Sequence, residues 1–550
     1  MKRRLGYFGL LCGLAMLPQL AAQDQEKDKK EPERGDITAK VREMNSDKFA
    51  APPTKFKPGN VEKKTLEAKA ITKTDTGFVI QMPSAAPIPT PTVYKDKIYV
   101  SGGFSTKEYF CFDATNGEFV WGMSLDDDGP TSAVCEDDIV VFNTESCTIF
   151  ALDAYSGKLI WAHYLGDPLT STPTIANGKV FTSYPVNAGA EGQKPGFFNK
   201  LKNKLKLKGK PLPEEGLPVI PPEPDAVQES AKEAGAKEPG AKGELAKKQP
   251  HASHAFICLE LKTGKVLWQK WIDSDVMSAP VAVDDEVYAA TFSGTVYKFK
   301  QKDGEIISAH RSRATSAPVV VGKYIYWTQR ADNGKNEMAA EEIVGLDRRN
   351  GTQVFSVAKR EAIYLDAGRQ ALSVFGKAAT KLDAGNALAP GMGGIKAVAN
   401  IGQANVSAMQ AFLGSRILHY NNANYNCMGD ELVNTDPSNG KIRWRVKLKG
   451  DLAKLGGHLA AAPATAGGQL FIATVLGEVL QVGPEKGDIT KTFKVGSEVR
   501  SQPAIDGGRI YVGTNDGKIV CINTGDPRYT GWPTWGANMA HTNIAAESKK

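Results

Sequence analysis

With 550 residues, of which 41% are hydrophobic and 23% are charged, the chain has the composition of an ordinary globular protein. The formal net charge of +7 is modest for this length and gives no support to nucleic-acid binding. The length alone would allow several domains, but an internal repeat favours a single ring with additions.

Residues 1–23 have the pattern of a secretory signal peptide. Basic residues at 2–4 precede an apolar run at 5–17, and small residues at 20–22 offer a cleavage site. An uncleaved anchor is the alternative, although the apolar run is short for a membrane span. Cys12 lacks the small residue expected just before a lipidated cysteine, which disfavours a lipoprotein. The mature chain is therefore predicted to be exported to the periplasm or envelope of a bacterium.

Residues 24–70 are rich in Lys, Glu, Asp and Pro and contain few large apolar side chains. This composition predicts a flexible charged tether. The composition changes at residue 71, and residues 71–82 are predicted to form a turn followed by a strand. That predicted strand has no earlier partner in the sequence.

A strand–turn–strand unit then recurs along the chain. In residues 150–161 it consists of a strand, a turn closed by Gly157 and a second strand that ends on Trp161. Glycine supplies the positive φ that such a turn needs. The eight turn glycines are Gly117, Gly157, Gly264, Gly304, Gly351, Gly440, Gly487 and Gly525. Gly117 and Gly157 are 40 residues apart, and the two long gaps of 107 and 89 residues fit one period plus an insertion.

A second marker alternates with the first, namely a small residue followed by Pro or a substitute at the start of a strand. Pro at a first strand position costs no ladder hydrogen bond. The eight copies are Thr90-Pro91, Ser132-Ala133, Thr172-Pro173, Ala279-Pro280, Ala317-Pro318, Ala408-Met409, Ala462-Pro463 and Gln502-Pro503. A period near 40 built from short strands predicts an all-β fold, an eight-bladed β-propeller of four-stranded antiparallel blades over residues 71–543. Residues 544–550 would form a C-terminal tail.

The ring is predicted to close by exchange between its two ends. The last repeat, after Gly525, lacks a clear outgoing strand, and residues 71–82 lack a partner. Pairing of the two would complete the final blade and remove free sheet edges.

Two insertions interrupt the repeat. Residues 185–254, within the third blade, are biased toward Pro, Lys, Glu, Ala and Gly and are predicted to be disordered. Residues 197–210 within them form a basic amphipathic pattern suited to an anionic membrane surface or a partner, with a solvated charge run as the alternative. Its apolar face and two of its lysines are Phe197, Phe198, Leu201, Leu205, Lys200 and Lys204. Residues 367–405, rich in Gly and Ala, could form short helices over one mouth of the ring.

The sequence contains few signals of chemistry. Cys111, Cys258 and Cys521 occupy the repeat position that Ala151 fills in another blade, so we interpret them as small buried strand residues. We predict no disulfide on which the fold depends. Because no nucleophile, haem or metal motif is found, we assign no catalytic, cofactor-binding or metal-ligating residue.

The unit at residues 151–161 resembles the pyrroloquinoline-quinone (PQQ) type propeller repeat, written loosely as Ala-Leu-Asp-x-x-Thr-Gly-Lys-x-x-Trp. The resemblance covers residues 71–543 apart from the two insertions. It implies that Trp and Gly residues of neighbouring blades dock together. The residues implied are Trp121, Trp161, Trp268, Trp444, Gly117, Gly157, Gly264 and Gly440. Residues 532–541 are similar to a segment that usually opens these propellers, and their position at the end suggests that they seal the ring.

The family has two branches. Quinoprotein dehydrogenases hold the quinone and a calcium ion in the channel and typically show an adjacent Cys-Cys pair, which this chain lacks. The other branch comprises BamB-like exported propellers, which are non-catalytic scaffolds that bind proteins. The resemblance therefore implies a monomeric, non-catalytic ring without a cofactor that binds other envelope proteins. The alternative is a PQQ-dependent dehydrogenase, with calcium, that oxidises alcohols or sugars.

Overall fold

The computed structural model describes residues 34–46, 60–103, 106–144, 148–165, 171–186, 253–331, 340–356, 360–361, 416–451 and 458–544. The predicted signal peptide, the basic segment 197–210, the insertion 367–405 and the tail residues 545–550 lie outside these ranges. Within them, no helix is long and apolar enough to cross a membrane.

Short elements precede the first blade. They are β1 Gly35–Asp36, α1 Thr38–Met44, β2 Val61–Lys63, a 3₁₀ turn Ala68–Ala70, β3 Ile71–Thr74 and β4 Gly77–Gln81. The strands of the described ranges form eight sheets in which neighbouring strands are antiparallel, so the predicted eight-bladed all-β propeller is confirmed.

The first four blades follow in chain order. Blade 1 contains β5 Thr92–Tyr94, β6 Lys97–Ser101, β7 Glu108–Asp113 and β8 Phe119–Leu125. Blade 2 contains β9 Val134–Glu136, β10 Ile139–Asn143, β11 Thr148–Asp153 and β12 Leu159–Tyr164. Blade 3 contains β13 Thr174–Ala176, β14 Lys179–Pro185, β15 His254–Glu260 and β16 Val266–Ile272. Blade 4 contains β17 Val281–Val283, β18 Glu286–Ala290, β19 Thr295–Lys300 and β20 Ile306–Arg311.

The second half of the ring repeats the same meander. Blade 5 contains β21 Val319–Val321, β22 Tyr324–Ala331, β23 Ala340–Asp347 and β24 Gln353–Ser356, with β25 Arg360–Glu361 also paired to β23. Blade 6 contains β26 Leu418–Tyr420, β27 Ala423–Met428, β28 Glu431–Thr435 and β29 Ile442–Lys447. Blade 7 contains β30 Ala464–Ala466, β31 Gln469–Thr474, β32 Glu478–Val482 and β33 Ile489–Lys494. Blade 8 contains β34 Ala504–Asp506, β35 Arg509–Gly513 and β36 Lys518–Asn523.

The ring closes as predicted. β4 pairs antiparallel with β36, with Phe78 opposite Cys521 and Ile80 opposite Ile519, and so becomes the outer strand of blade 8. β3 folds back on β4 as a fifth strand. Phe78 and Ile80 are fully buried, so the closure is held by apolar packing as well as by the ladder.

The predicted flexible tether is wrong for the parts of residues 24–70 that the structure describes. β1 adds to β20 of blade 4, and β2 adds to β8 of blade 1. Between them, Ile37 and Val41 are buried against blade 4, and the Asn45 side chain bonds the main chain of Trp271 in blade 3. The average composition of the segment hid two apolar residues at helical spacing. The outer strands also offer unpaired edges that a short strand can cover.

First strands of neighbouring blades contact one another around the channel, as β9 does β13, β13 does β17, β21 does β26, β30 does β34 and β34 does β5. Cys111, Cys258 and Cys521 lie buried on the third strands, as the repeat position indicated. The described cysteines are free thiols. The first insertion leaves from β14 and returns to β15, and its predicted end residues Pro185 and His254 pair with each other as strand residues.

One predicted blade marker is wrong. The first strand of blade 6 begins at Leu418, so the residues in the marker position are Arg416 and Ile417, and Ala408-Met409 lies outside the described ranges. Arg416 is not a small residue, which is why the pattern missed it. The spacing between markers could have identified Arg416. Ala462 is 46 residues from Arg416 and 54 from Ala408, and the smaller spacing is closer to the period near 40.

Candidate functional site: the channel and its C-terminal plug

Tryptophans of four blades reach the turn of the next blade. In each case the indole Nε1 donates to a main-chain oxygen of that turn. The pairs are Trp121 with Ala154 at 2.9 Å, Trp161 with Leu261 at 2.7 Å, Trp268 with Gln301 at 3.0 Å and Trp444 with Pro484 at 3.0 Å. A buried indole needs such a partner, and the turn carbonyl supplies it.

The turn glycines face these rings. A Cβ built on Gly157 would lie 2.8 Å from the Trp121 ring, and one on Gly264 would lie 2.7 Å from the Trp161 ring. Gly304 and Gly487 meet Trp268 and Trp444 in the same way. The sequence assignment did not include these last two glycines among the docking residues.

Two of the predicted docking glycines follow a blade without the tryptophan. Gly117 faces Phe78 of the closing strand, because the outer strand of blade 8 carries Phe at this position. Gly440 lies in the turn of blade 6, and in the preceding blade 5 Phe355 takes the tryptophan position. Where the preceding blade has no aromatic residue at the tryptophan position, no ring packs against the glycine. A Cβ on Gly351, for example, would meet nothing within 4 Å.

The last described segment of the chain crosses the channel. We call residues 532–544 the C-terminal plug. Its main-chain oxygens accept hydrogen bonds from the middle residues of first strands: Val93 N donates to Pro533 O at 2.7 Å, and Ile175 N to Met539 O at 2.9 Å. Ala282 N likewise donates to the oxygen of plug residue 540 at 3.0 Å. The inner edges of first strands would otherwise leave these N–H groups without a strand partner.

The plug also engages blades 2, 6 and 8. The Met539 sulfur accepts from Cys135 N at 3.2 Å, Trp532 exchanges main-chain hydrogen bonds with Ile505, and plug residue 544 bridges to His419. Trp532 is fully buried. The similarity noted for residues 532–541 indicated a sealing role, and the structure places these residues inside the ring.

Within the plug, three non-glycine residues have left-handed backbone conformations, namely Ala537, His541 and Asn543 with φ of 79°, 54° and 55°. Such conformations persist only where the surroundings fix them. The fixing contacts are visible for two of them: the Asn543 side chain donates to Ile417 O, and a ring nitrogen of His541 can donate to the main-chain oxygen of Trp535 or of Pro173.

His541 is fully buried at the centre of the ring. Its Nδ1 lies 2.8 Å from Trp535 O, and its Nε2 lies 3.0 Å from Pro173 O. Burial, together with the positive charge of Arg416, lowers the pKa of His541 to about 4. The imidazole is therefore neutral at neutral pH.

We expect this histidine to make stability pH-dependent. Its pKa is lower in the folded than in the unfolded chain, so its contribution is full above about pH 6.5 and falls as the pH drops towards 4. The loss should reach about 3 kcal/mol in the free energy of unfolding. Urea denaturation at pH 7, 6, 5 and 4 measures it, and His541→Asn, which tolerates the positive φ, should flatten the slope. An NMR titration that placed the pKa of His541 above 6.5 would contradict this expectation.

The described ranges contain no group of three or more His, Cys, Asp or Glu side chains arranged to hold a metal ion. The side chains gathered at the channel centre are instead Arg416, Trp535, His541 and Asn543. Arg416 lies 4% exposed beside the plug, with its guanidinium carbon 4.4 Å from the centroid of the Trp535 ring. This arrangement can hold the plug and present one positive charge.

The family model described as "Outer membrane protein assembly factor BamB" matches residues 108–192, 231–399 and 429–538, which together are more than half of the chain. No curated protein matches.

Similar solved structures include BamB from Moraxella catarrhalis, with a TM-score of 0.46 and 14% identity, covering 82% of this chain and 97% of that one. Sqt1 of Saccharomyces cerevisiae gives a TM-score of 0.46 and 9% identity, covering 80% and 96%. The quinohemoprotein alcohol dehydrogenase ADHIIG from Pseudomonas putida HK5 gives 0.42 and 10%, covering 84% and 79%. On the extent of the family-model match, this chain belongs to the family of the outer membrane protein assembly factor BamB.

Proposed function

We propose that this protein is an exported, non-catalytic propeller that serves as a protein-binding scaffold in the bacterial cell envelope. The observation that supports this most is the C-terminal plug in the channel. In the quinoprotein branch of these propellers the channel is the place of the quinone and its calcium ion. Here the plug accepts hydrogen bonds from the first strands of blades 1, 3 and 4 at that place, through residues 533, 539 and 540.

A planar quinone could enter only by displacing groups that are already packed. Trp535 stacks edge-on with His541 at 5.0 Å between ring centroids, and Arg416 covers the Trp535 face. Trp532 is fully buried beside blade 8. Displacing these rings would expose apolar area worth several kcal/mol. The proposal therefore gives the channel a structural role and places the function on the outer surface.

The outer rim offers a surface for a partner. Val120, Ile160 and Leu267 precede the docking tryptophans on the outer strands of blades 1, 2 and 3, and they are 38%, 41% and 41% exposed. We call these three residues the rim row. We propose that a partner protein covers these apolar side chains, which repeat at equivalent positions of three adjacent blades.

Site-specific photocrosslinking in intact cells tests the proposal. A photoreactive amino acid is placed at Ile160 or at Leu267, with Ile489 as the matched control. Ile489 is an apolar residue on the outer strand of blade 7 and is 45% exposed. We expect the same envelope protein to be captured from both rim positions and not from the control. Equal capture from position 489, or no protein capture from either rim position, would contradict the assignment.

The dehydrogenase alternative is tested on the purified protein. Incubation with pyrroloquinoline quinone and calcium should give no oxidation of alcohols or sugars and no rise in the unfolding temperature. Turnover that depends on added quinone would overturn the non-catalytic assignment.

The predicted membrane contact at residues 197–210 remains a prediction, which liposome sedimentation of the full chain and of a chain without residues 185–254 would test.

A further inference from the structure

Arg416 is a buried cation without a counterion among the described residues. Its side chain is almost completely enclosed, yet its Nε and Nη1 atoms have no hydrogen-bond partner there. Its third nitrogen, Nη2, donates to the main-chain oxygen of His541 in the plug. A charged group removed from water without a compensating charge is strongly destabilising.

Two other partly buried arginines, Arg348 and Arg311, have carboxylate partners. Arg348 forms ion pairs with Glu286 at 2.7 Å and with Asp284 at 2.9 Å, and Arg311 pairs with Asp273 at 3.2 Å. Arg416 is more deeply buried than either. This chain therefore pairs such cations elsewhere but provides only a carbonyl oxygen for the one in its channel.

The charge of Arg416 persists at neutral pH. Burial lowers the pKa of its guanidinium to about 9, which leaves it mostly protonated at pH 7. Its neighbours add no second positive charge, because burial keeps His541 neutral. On the plug side, Nη1 lies close to Gly536, where a Cβ would come within 2.6 Å of it. The unpaired nitrogens thus belong to a site that carries a single positive charge.

We propose that Arg416 and the C-terminal plug form a binding site in the channel for a small monocarboxylate anion. The guanidinium carries a fixed positive charge, and its unpaired Nε–H can donate a charge-assisted hydrogen bond to a carboxylate oxygen. One negative charge balances the one cation, whereas a divalent phosphate or sulfate would bring excess charge next to the oxygen of His541.

The test uses the full mature chain, exhaustively dialysed into a carboxylate-free buffer with sodium chloride as the background salt. Sodium formate, acetate, phosphate or sulfate is added at constant ionic strength, and the samples are equilibrated overnight because the site is enclosed. The unfolding temperature and isothermal titration calorimetry are the readouts. We expect formate or acetate to raise the unfolding temperature by about 2 °C or more at saturation and to give a saturable heat of binding. Phosphate and sulfate stabilise folded proteins in general by exclusion from their surface, so they should give no saturable heat of binding.

Two variants make the assignment specific. Arg416→Met should lose the carboxylate-dependent shift and, without carboxylate, should unfold at a higher temperature than the wild type, since an uncompensated charge is gone. Arg348→Gln is the matched control and should keep the shift. A wild-type unfolding temperature independent of formate and acetate would overturn the proposal. So would a shift that survives Arg416→Met, or an equal saturable heat of binding from phosphate or sulfate. If Arg416→Met does not fold, the wild-type titrations and the control still decide the outcome.

Discussion

Truncation after Gly531, which removes the C-terminal plug, is expected to destabilise the ring by at least about 5 kcal/mol. Loss of the fully buried Trp532 alone is worth about 3–5 kcal/mol. The N–H groups of Val93, Ile175 and Ala282 would also lose their acceptors, at about 1 kcal/mol for each hydrogen bond. Urea denaturation followed by circular dichroism measures the change in the free energy of unfolding.

The matched control is truncation after Ile544, which removes only residues 545–550 and leaves every described contact of the plug intact. We expect this shorter truncation to unfold at the same urea concentration as the full chain. If both truncations unfolded at the same urea concentration, the plug would not be part of the cooperative fold. Its position in the channel would then not stabilise the ring.

Gly157→Ala is expected to destabilise the protein by about 2–5 kcal/mol, and much more than Gly351→Ala. Both glycines have the same left-handed backbone, with φ of 68° and 70°, so both substitutions have the same conformational cost of about 1–2 kcal/mol. Only at position 157 would the added Cβ collide with an aromatic ring, since it would lie 2.8 Å from the Trp121 ring. The added overpacking is worth about 1–3 kcal/mol.

The two variants are compared by urea denaturation of the full chain. A difference of at least about 1 kcal/mol in the free energy of unfolding is expected from the contact with Trp121. Equal values would show that the Trp121–Gly157 contact relaxes at no cost. Trp121→Leu combined with Gly157→Ala should recover part of the loss, because the double change removes the ring and leaves only the flexible end of Met123 near the added Cβ.

Local patterns made much of the fold predictable. A glycine turn followed four residues later by Trp, as at Gly157 and Trp161, is readable because both residues belong to one hairpin. The missing outgoing strand after Gly525 and the unpartnered strand before residue 83 pointed to the same closure, and β4 pairs with β36. These predictions depended on short-range geometry, on counting and on a family resemblance.

The fold of the N-terminal segment and the contents of the channel were harder to predict from the sequence. Ile37 and Val41 lie in a segment whose average composition indicates disorder, and only blade 4 gives them a surface to cover. Arg416 stands where the repeat expects a small residue. Its burial next to His541 joins positions that are 125 residues apart in the chain. Periodicity carries no information about such pairs.

The amino-acid sequence by itself determined the number of blades, their strand order and the way the ring closes, because each of these follows from repeated short-range patterns and two complementary ends. The tertiary structure decided what occupies the channel and which side chains meet there. The physical reason is that inner strand edges from several blades converge on one axis. The groups that satisfy those edges come from the far end of the chain, where Pro533 meets Val93 and Met539 meets Ile175.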